Sequence, residues 1–168
     1  MRGFIIGVVF TILILVVGCY LFVHGGGVSL ATAAAPLPLE RSLARMALHA
    51  SIGNAADEKD PLPFDDANMV SGVELYKEHC AVCHGTLAKP PTSISKGMFP
   101  PPPQLLEKEG MATDDSEGEI HWKVTNGIRL SGMPGFVSTL SDTQRWQLTM
   151  LVAHADKLSL AAQAAFGH

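Results

Sequence analysis

An all-α chain with one long apolar helix at its start is what this 168-residue sequence predicts. Three observations carry the prediction. Phe4 to Val23 is a run of twenty residues without a charge. Downstream, two segments open on a helix-capping pattern, Ser116-Glu117-Gly118-Glu119 and Ser141-Asp142-Thr143-Gln144, in which a hydroxyl and an acid or amide three residues on satisfy orphan amides. Pro100 to Pro103 are four consecutive prolines, which have no amide N–H and so form neither an internal helix nor a central strand.

The first element is the apolar run. At 1.5 Å per residue, Phe4–Val23 spans about 30 Å, the thickness of a bilayer's hydrocarbon core. Arg2 is the only charged side chain before it and favours an N-in orientation, so everything downstream is exported. Residues 1–23 are therefore expected to anchor the chain in a lipid bilayer through 4–23. Two other readings exist. Ala31-Thr32-Ala33 and Ala33-Ala34-Ala35 resemble signal-peptide cleavage sites, but the apolar run is longer than a usual signal core. Val16-Val17-Gly18-Cys19 looks like a lipoprotein processing site, but Tyr20 to Val23 continue the apolar run beyond it. A retained helix, with Cys19 as a small apolar residue, fits best.

Residues 24–67 read as a connector. His24–Ala35 is rich in Gly and Ala without periodicity, and Pro36 and Pro38 stiffen the next stretch. Leu39, Leu43, Met46, Ala47 and Ala50 then recur at three- and four-residue steps, which predicts a short amphipathic helix over 39–52. It is expected to be a spacer packed on the folded domain, with contact to a partner membrane protein or to the lipid interface as alternatives. Gly53–Asp66, broken by Pro61 and Pro63, reads as polar linker.

The folded domain is expected over 68–158, roughly 90 residues with about three helices. The first runs from Asn68 into Cys83, with Val70, Val73, Leu75, Tyr76, His79 and Cys80 on its apolar side. Gly72 inside it costs up to about 1 kcal/mol relative to Ala, which a close helix crossing would offset. The second helix starts at Thr113 or Ser116, turns Ile120, Val124 and Trp122 toward the core, and ends at Asn126-Gly127. The last starts at Ser141, presents Trp146, Leu148, Met150, Leu151 and Val152, and ends near Asp156 or Leu158. The Ala-rich tail 159–168 is expected to fray.

Cys80-Ala81-Val82-Cys83-His84 carries the chemistry. Two thiols and an imidazole at this spacing are those of covalent haem attachment: the cysteines form thioethers with the vinyl groups and His84 reaches the iron. Export agrees, since bacterial haem of this type is attached outside the inner membrane. With Cys19 in the apolar run, no disulfide framework remains. Candidate second ligands after His84 are Met98, Met111, His121, Met133, Met150, His154 and His168. Met133 stands out in Gly132-Met133-Pro134-Gly135, where the proline pre-sets the backbone and the glycines allow tight turns. His121 reads as a surface or edge residue, and His79 points away from the iron. A carbonyl near the proline run is the expected acceptor for the His84 Nδ1–H.

Gly72-Val73-Glu74-Leu75-Tyr76 followed by Cys80-Ala81-Val82-Cys83-His84-Gly85 resembles the opening of a class I cytochrome c. Asn126-Gly127-Ile128 through Gly132-Met133-Pro134-Gly135-Phe136 resembles its methionine loop, and Leu140-Ser141-Asp142 with Trp146 the start of its last helix. The likeness covers about 68–158, and the whole chain is similar to bacterial membrane-anchored mono-haem cytochromes. It implies a class I cytochrome c fold around one covalent haem c, with Gly72 and Tyr76 crossing the last helix near Trp146 and Met150. It also implies that one of Pro100–Pro103 serves His84; the segment after His84 departs from the short form of the family and leaves open which.

A haem held by His84 and Met133 has no open position, which favours a one-electron carrier over an enzyme, with redox proteins in or at the membrane as partners and no small-molecule substrate. The expected place is a bacterial inner membrane, single-pass, with the haem domain on the periplasmic side. A haem enzyme or gas sensor with a labile sixth ligand, and a fixed electron-transfer subunit of a larger membrane complex, are the alternatives. Asp114, Asp115, Glu117 and Glu119 form an acidic stretch that reads as a solvated helix start or a docking patch. Lys96, Lys123 and Arg129 are its candidate basic counterpart. With 12 Lys and Arg against 16 Asp and Glu, and no basic run, nucleic acid binding has no support.

Overall fold

The computed structural model describes residues 1–87, 92–107 and 112–167. The chain divides into two compact units, Met1–Glu40 and Arg41–His168.

Helix α1, Arg2–His24, dominates the first unit. Its 23 residues bury no side chain, and an 18-residue stretch of it has a mean hydropathy of 2.9, which makes it long and apolar enough to cross a membrane. The Gly25 amide closes the helix on the Leu21 carbonyl at 2.8 Å.

In the second unit the described residues form helices and turns without a strand, and Ile128 and Met133 make an isolated bridge. Helix α2 (Glu40–Ile52) runs into a 3₁₀ turn, Gly53–Asp57. Helix α3 (Asp66–His79) begins where the Asp65 carboxylate accepts the Asn68 amide at 2.9 Å. Short helices α4 (Ala81–His84) and α5 (Ser93–Lys96) follow, then α6 (Glu117–Asn126), α7 (Asp142–Ala153), a 3₁₀ turn at Ala155–Lys157, and α8 (Leu160–Phe166).

Helix α3 buries Met69, Gly72, Val73 and Tyr76, one face at three- and four-residue steps. A Cβ at Gly72 would strike the Gln147 carbonyl oxygen and lie 3.2 Å from Leu151 Cβ. The two backbones therefore meet at this point, one residue along α7 from the expected Trp146 and Met150. Helix α7 carries a complete capping box: Ser141 Oγ accepts the Gln144 amide, and Gln144 Oε1 accepts the Ser141 amide at 2.9 Å. Its Trp146, Leu148, Met150, Leu151 and Val152 are all buried.

Three expectations are corrected here. Residues 53–60, read as linker before a boundary near Asn68, pack on α6. A Cβ at Gly118 would collide with the Ala55 carbonyl, Ser116 Oγ donates to the Ala56 carbonyl at 2.6 Å, and the Asp60 amide donates to Glu117 at 3.2 Å. The compact unit therefore starts at Arg41. Second, the capping box at Ser116 is half formed: its hydroxyl accepts the Glu119 amide, but the Glu119 carboxylate pairs with Lys123 at 2.8 Å. Third, the tail is helical where described. Ala162 in α8 is fully buried, Phe166 meets the Tyr76 ring edge-on at 6.1 Å, and Lys77 Nζ donates to the Ala165 carbonyl at 3.0 Å. Small alanines let this short helix approach α3 closely.

Gly72→Ala forces the crossing apart and is expected to cost about 1–3 kcal/mol, as overpacking does. Denaturant unfolding of the variant beside the parent checks this.

Candidate functional site

Helix α4 holds the attachment motif in a single turn, and one turn leaves its carbonyls without helical partners. Side chains from elsewhere satisfy them. Thr92 Oγ1 donates to Val82 O at 2.6 Å, Ser95 Oγ to Cys83 O at 2.8 Å, and Tyr76 Oη to His84 O at 3.3 Å. The segment after His84, nearly silent as sequence, is thus what fixes the attachment turn.

His84 Nδ1 lies 2.7 Å from the Pro103 carbonyl oxygen. A carbonyl only accepts, so Nδ1 carries the proton and Nε2 keeps a free lone pair. Burial lowers the imidazole's pKa, and the Pro103 bond opposes this only partly, so the ring is neutral at neutral pH. Burial, and then the neighbouring Cys83, push the free Cys80 thiol up to about 12.

Cys80 and His84 line an apolar cavity of about 300 Å³, the size of a ligand site. Ile120 and Val124 of α6, Leu148 and Val152 of α7, and Leu48 of α2 supply its walls. Met133 enters the same cavity from the loop after α6. That loop is tied down. Gly127 sits at φ +67°, where a Cβ would come within 2.6 Å of the Met133 carbonyl oxygen. The Ile128 amide donates to Met133 O at 3.1 Å, and the Met133 amide to Ser131 Oγ at 3.2 Å. Cys83 is half-buried on α4 beside His84 and does not itself line the cavity.

The other candidates lie elsewhere. Met150 is core, 2 % exposed. The Met98 methyl packs against Gly132, and His154 meets Phe64 edge-on at 4.7 Å. Met111 and His168 fall outside the described residues. His79 tilts against Phe136 with centroids 5.7 Å apart.

His121 is not a surface residue. It is buried, and its ring stacks on Trp146 at 3.8 Å with planes 3° apart. Nε2 faces Asp142 at 3.5 Å and Nδ1 faces Glu58 at 3.9 Å. Burial, aided by Arg145, lowers its pKa against the pull of Asp142 and Glu58. The acidic stretch is also partly consumed: Lys123 bridges Asp115 at 2.7 Å and Glu119 at 2.8 Å. Burial pulls the lysine's pKa down, but these two hydrogen bonds outweigh it and raise it. Lys123 is therefore an internal tie, not a free basic counterpart.

Helices enclosing an apolar cavity beside a Cys-x-x-Cys-His turn define a class I c-type cytochrome. Residues 67–150, half of the chain, match the family model described as cytochrome C oxidase, cbb3-type, subunit III, and the chain belongs to this family. The comparisons with curated proteins and with solved structures gave no match. The family implies a covalently bound haem c and electron transfer. The site fits that group: its walls are apolar, two thiols stand at attachment spacing, and a neutral imidazole is fixed by a carbonyl acceptor.

His121 is favoured neutral in the fold, so below about pH 6.5 the unfolded chain binds more protons there and stability falls as pH drops. His121→Phe keeps a ring on Trp146 without the proton. It is expected to lose less stability than the parent between about pH 7 and pH 5, by denaturant unfolding at stepped pH. Equal losses would contradict this.

Proposed function

We propose that this chain is a membrane-anchored one-electron carrier in which Cys80 and Cys83 would hold a haem as thioethers and His84 and Met133 would ligate its iron. The observation that carries the reading is one cavity lined by Cys80, His84 and Met133, with His84 Nδ1 tied to Pro103. The haem supplies a one-electron Fe(III)/Fe(II) couple. The protein's residues do the rest. The Pro103 bond orients the imidazole and leaves Nε2 free for a haem iron. The anchored 127–133 loop would keep the methionine sulfur in place toward a haem in either oxidation state. A thioether is a weak donor, and with the apolar walls it favours the reduced state and raises the potential.

Helix α1 spans the bilayer, and the haem domain stands on the periplasmic face of a bacterial inner membrane, exchanging electrons with redox proteins there. A second reading is a fixed subunit of a larger membrane complex. The family description names an oxidase subunit, and α2 leaves Leu43 and Met46 more than half exposed.

An optical redox titration of the full chain, with and without carbon monoxide, tests the proposal. A reversible one-electron transition at positive potential, undisturbed by carbon monoxide, is the expected result. Met133→Ala is expected to lower the potential and admit carbon monoxide. Rapid binding by the parent would favour the enzyme or sensor reading instead.

A further inference from the structure

Helix α2 precedes the segment that matches the family, yet it contributes to the haem cavity. Its two faces differ. Leu43 and Met46 are 58 % and 64 % exposed, while Ile52 is 5 % exposed and Leu48 lines the cavity with Cys80, His84 and Met133. Leu48 and Ile52 are four residues apart and so share the inward face. What holds that face in place lies just beyond it. Residues 55–60 are clamped on α6 by the close approach at Gly118, by the Ser116 hydroxyl on Ala56 O and by the Asp60 amide on Glu117. His121 of α6 faces Glu58 from the same surface. The clamped turn follows α2 without a break, at Gly53.

We propose that α2 is a haem-capping wall supplied by the connector, with Leu48 the positioning residue that keeps water from the haem edge and so sets the reduction potential. Oxidation adds one positive charge to the iron centre, and an apolar side chain in place of water disfavours that charge. Capping by Leu48 thus favours the reduced state. Gly118 acts through it: the missing side chain lets residues 55–58 seat, which holds α2 over the cavity.

This inference rests on the carrier reading, and one experiment separates the two. The full-length holoprotein is titrated optically as parent, Leu48→Gln, Gly118→Ala, the double variant and Leu43→Gln. The parent's transition and its indifference to carbon monoxide test the carrier reading alone. The expected result is a lower potential for Leu48→Gln and for Gly118→Ala, with the double variant no lower than the lower single. Leu43→Gln, on the outward face of the same helix, is expected to keep the parent potential. Parent potentials in both Leu48→Gln and Gly118→Ala would overturn the cap. A shift in Leu43→Gln as large as in Leu48→Gln would also overturn it, because the effect would then belong to the helix surface and not to the cavity wall.

Discussion

The Gln147 carbonyl occupies the space where residue 72 would otherwise carry a side chain, and the arrangement of the haem domain depends on that contact. It brings α3 and α7 together backbone to backbone. The end of α3 then delivers Cys80 and α4 beside Leu148 and Val152 of α7, which face the cavity. A larger residue at 72 would separate the attachment turn from the wall that completes its site. The same crossing buries Val73, Tyr76 and Leu151 completely. A glycine unfavourable to an isolated helix is thus the condition for a core this small to close.

The polar groups around the cavity follow a consistent logic. A one-turn helix has more unpaired carbonyls than internal bonds, and each exposed end must find a donor. Thr92 and Ser95, from one turn after the motif, and Tyr76, from the helix before it, provide the donors. Pro103 provides the reverse, an acceptor for the His84 Nδ1–H. The imidazole is thereby fixed in tautomer and in plane before any metal is considered. Met133 gains comparable fixity from backbone bonds around Gly127. In such a site little has to move when an electron arrives or leaves, and slow rearrangement is avoided.

Legibility from sequence followed the range of each interaction. The attachment motif, the Ser141 capping box and the Gly127 helix end are local, and local spacing reveals them. The amphipathic pattern also placed α2, because the period is its own signature. Its orientation was not readable: the pattern put Leu39, Leu43, Met46, Ala47 and Ala50 on one apolar face, whereas Leu48 and Ile52 are the residues that turn inward. His121 looked like an edge residue because Trp146 and Asp142 are on another helix and Glu58 comes from a further segment. Residues 53–60 looked like linker because polar composition hides a backbone that docks by hydrogen bonds and one absent Cβ. The proline run predicted an acceptor for His84, and only the folded geometry singled out Pro103.

The central proposal is that Met133, together with His84, would ligate the haem iron. Proton and carbon magnetic resonance of the reduced holoprotein, with methionine methyl groups isotopically labelled, addresses it most directly. A methyl held over the haem face is carried far upfield by the ring current. The account predicts one such methyl signal, absent in Met133→Leu and retained in Met98→Leu. No strongly upfield methyl in the parent, or one that survives Met133→Leu, would contradict it.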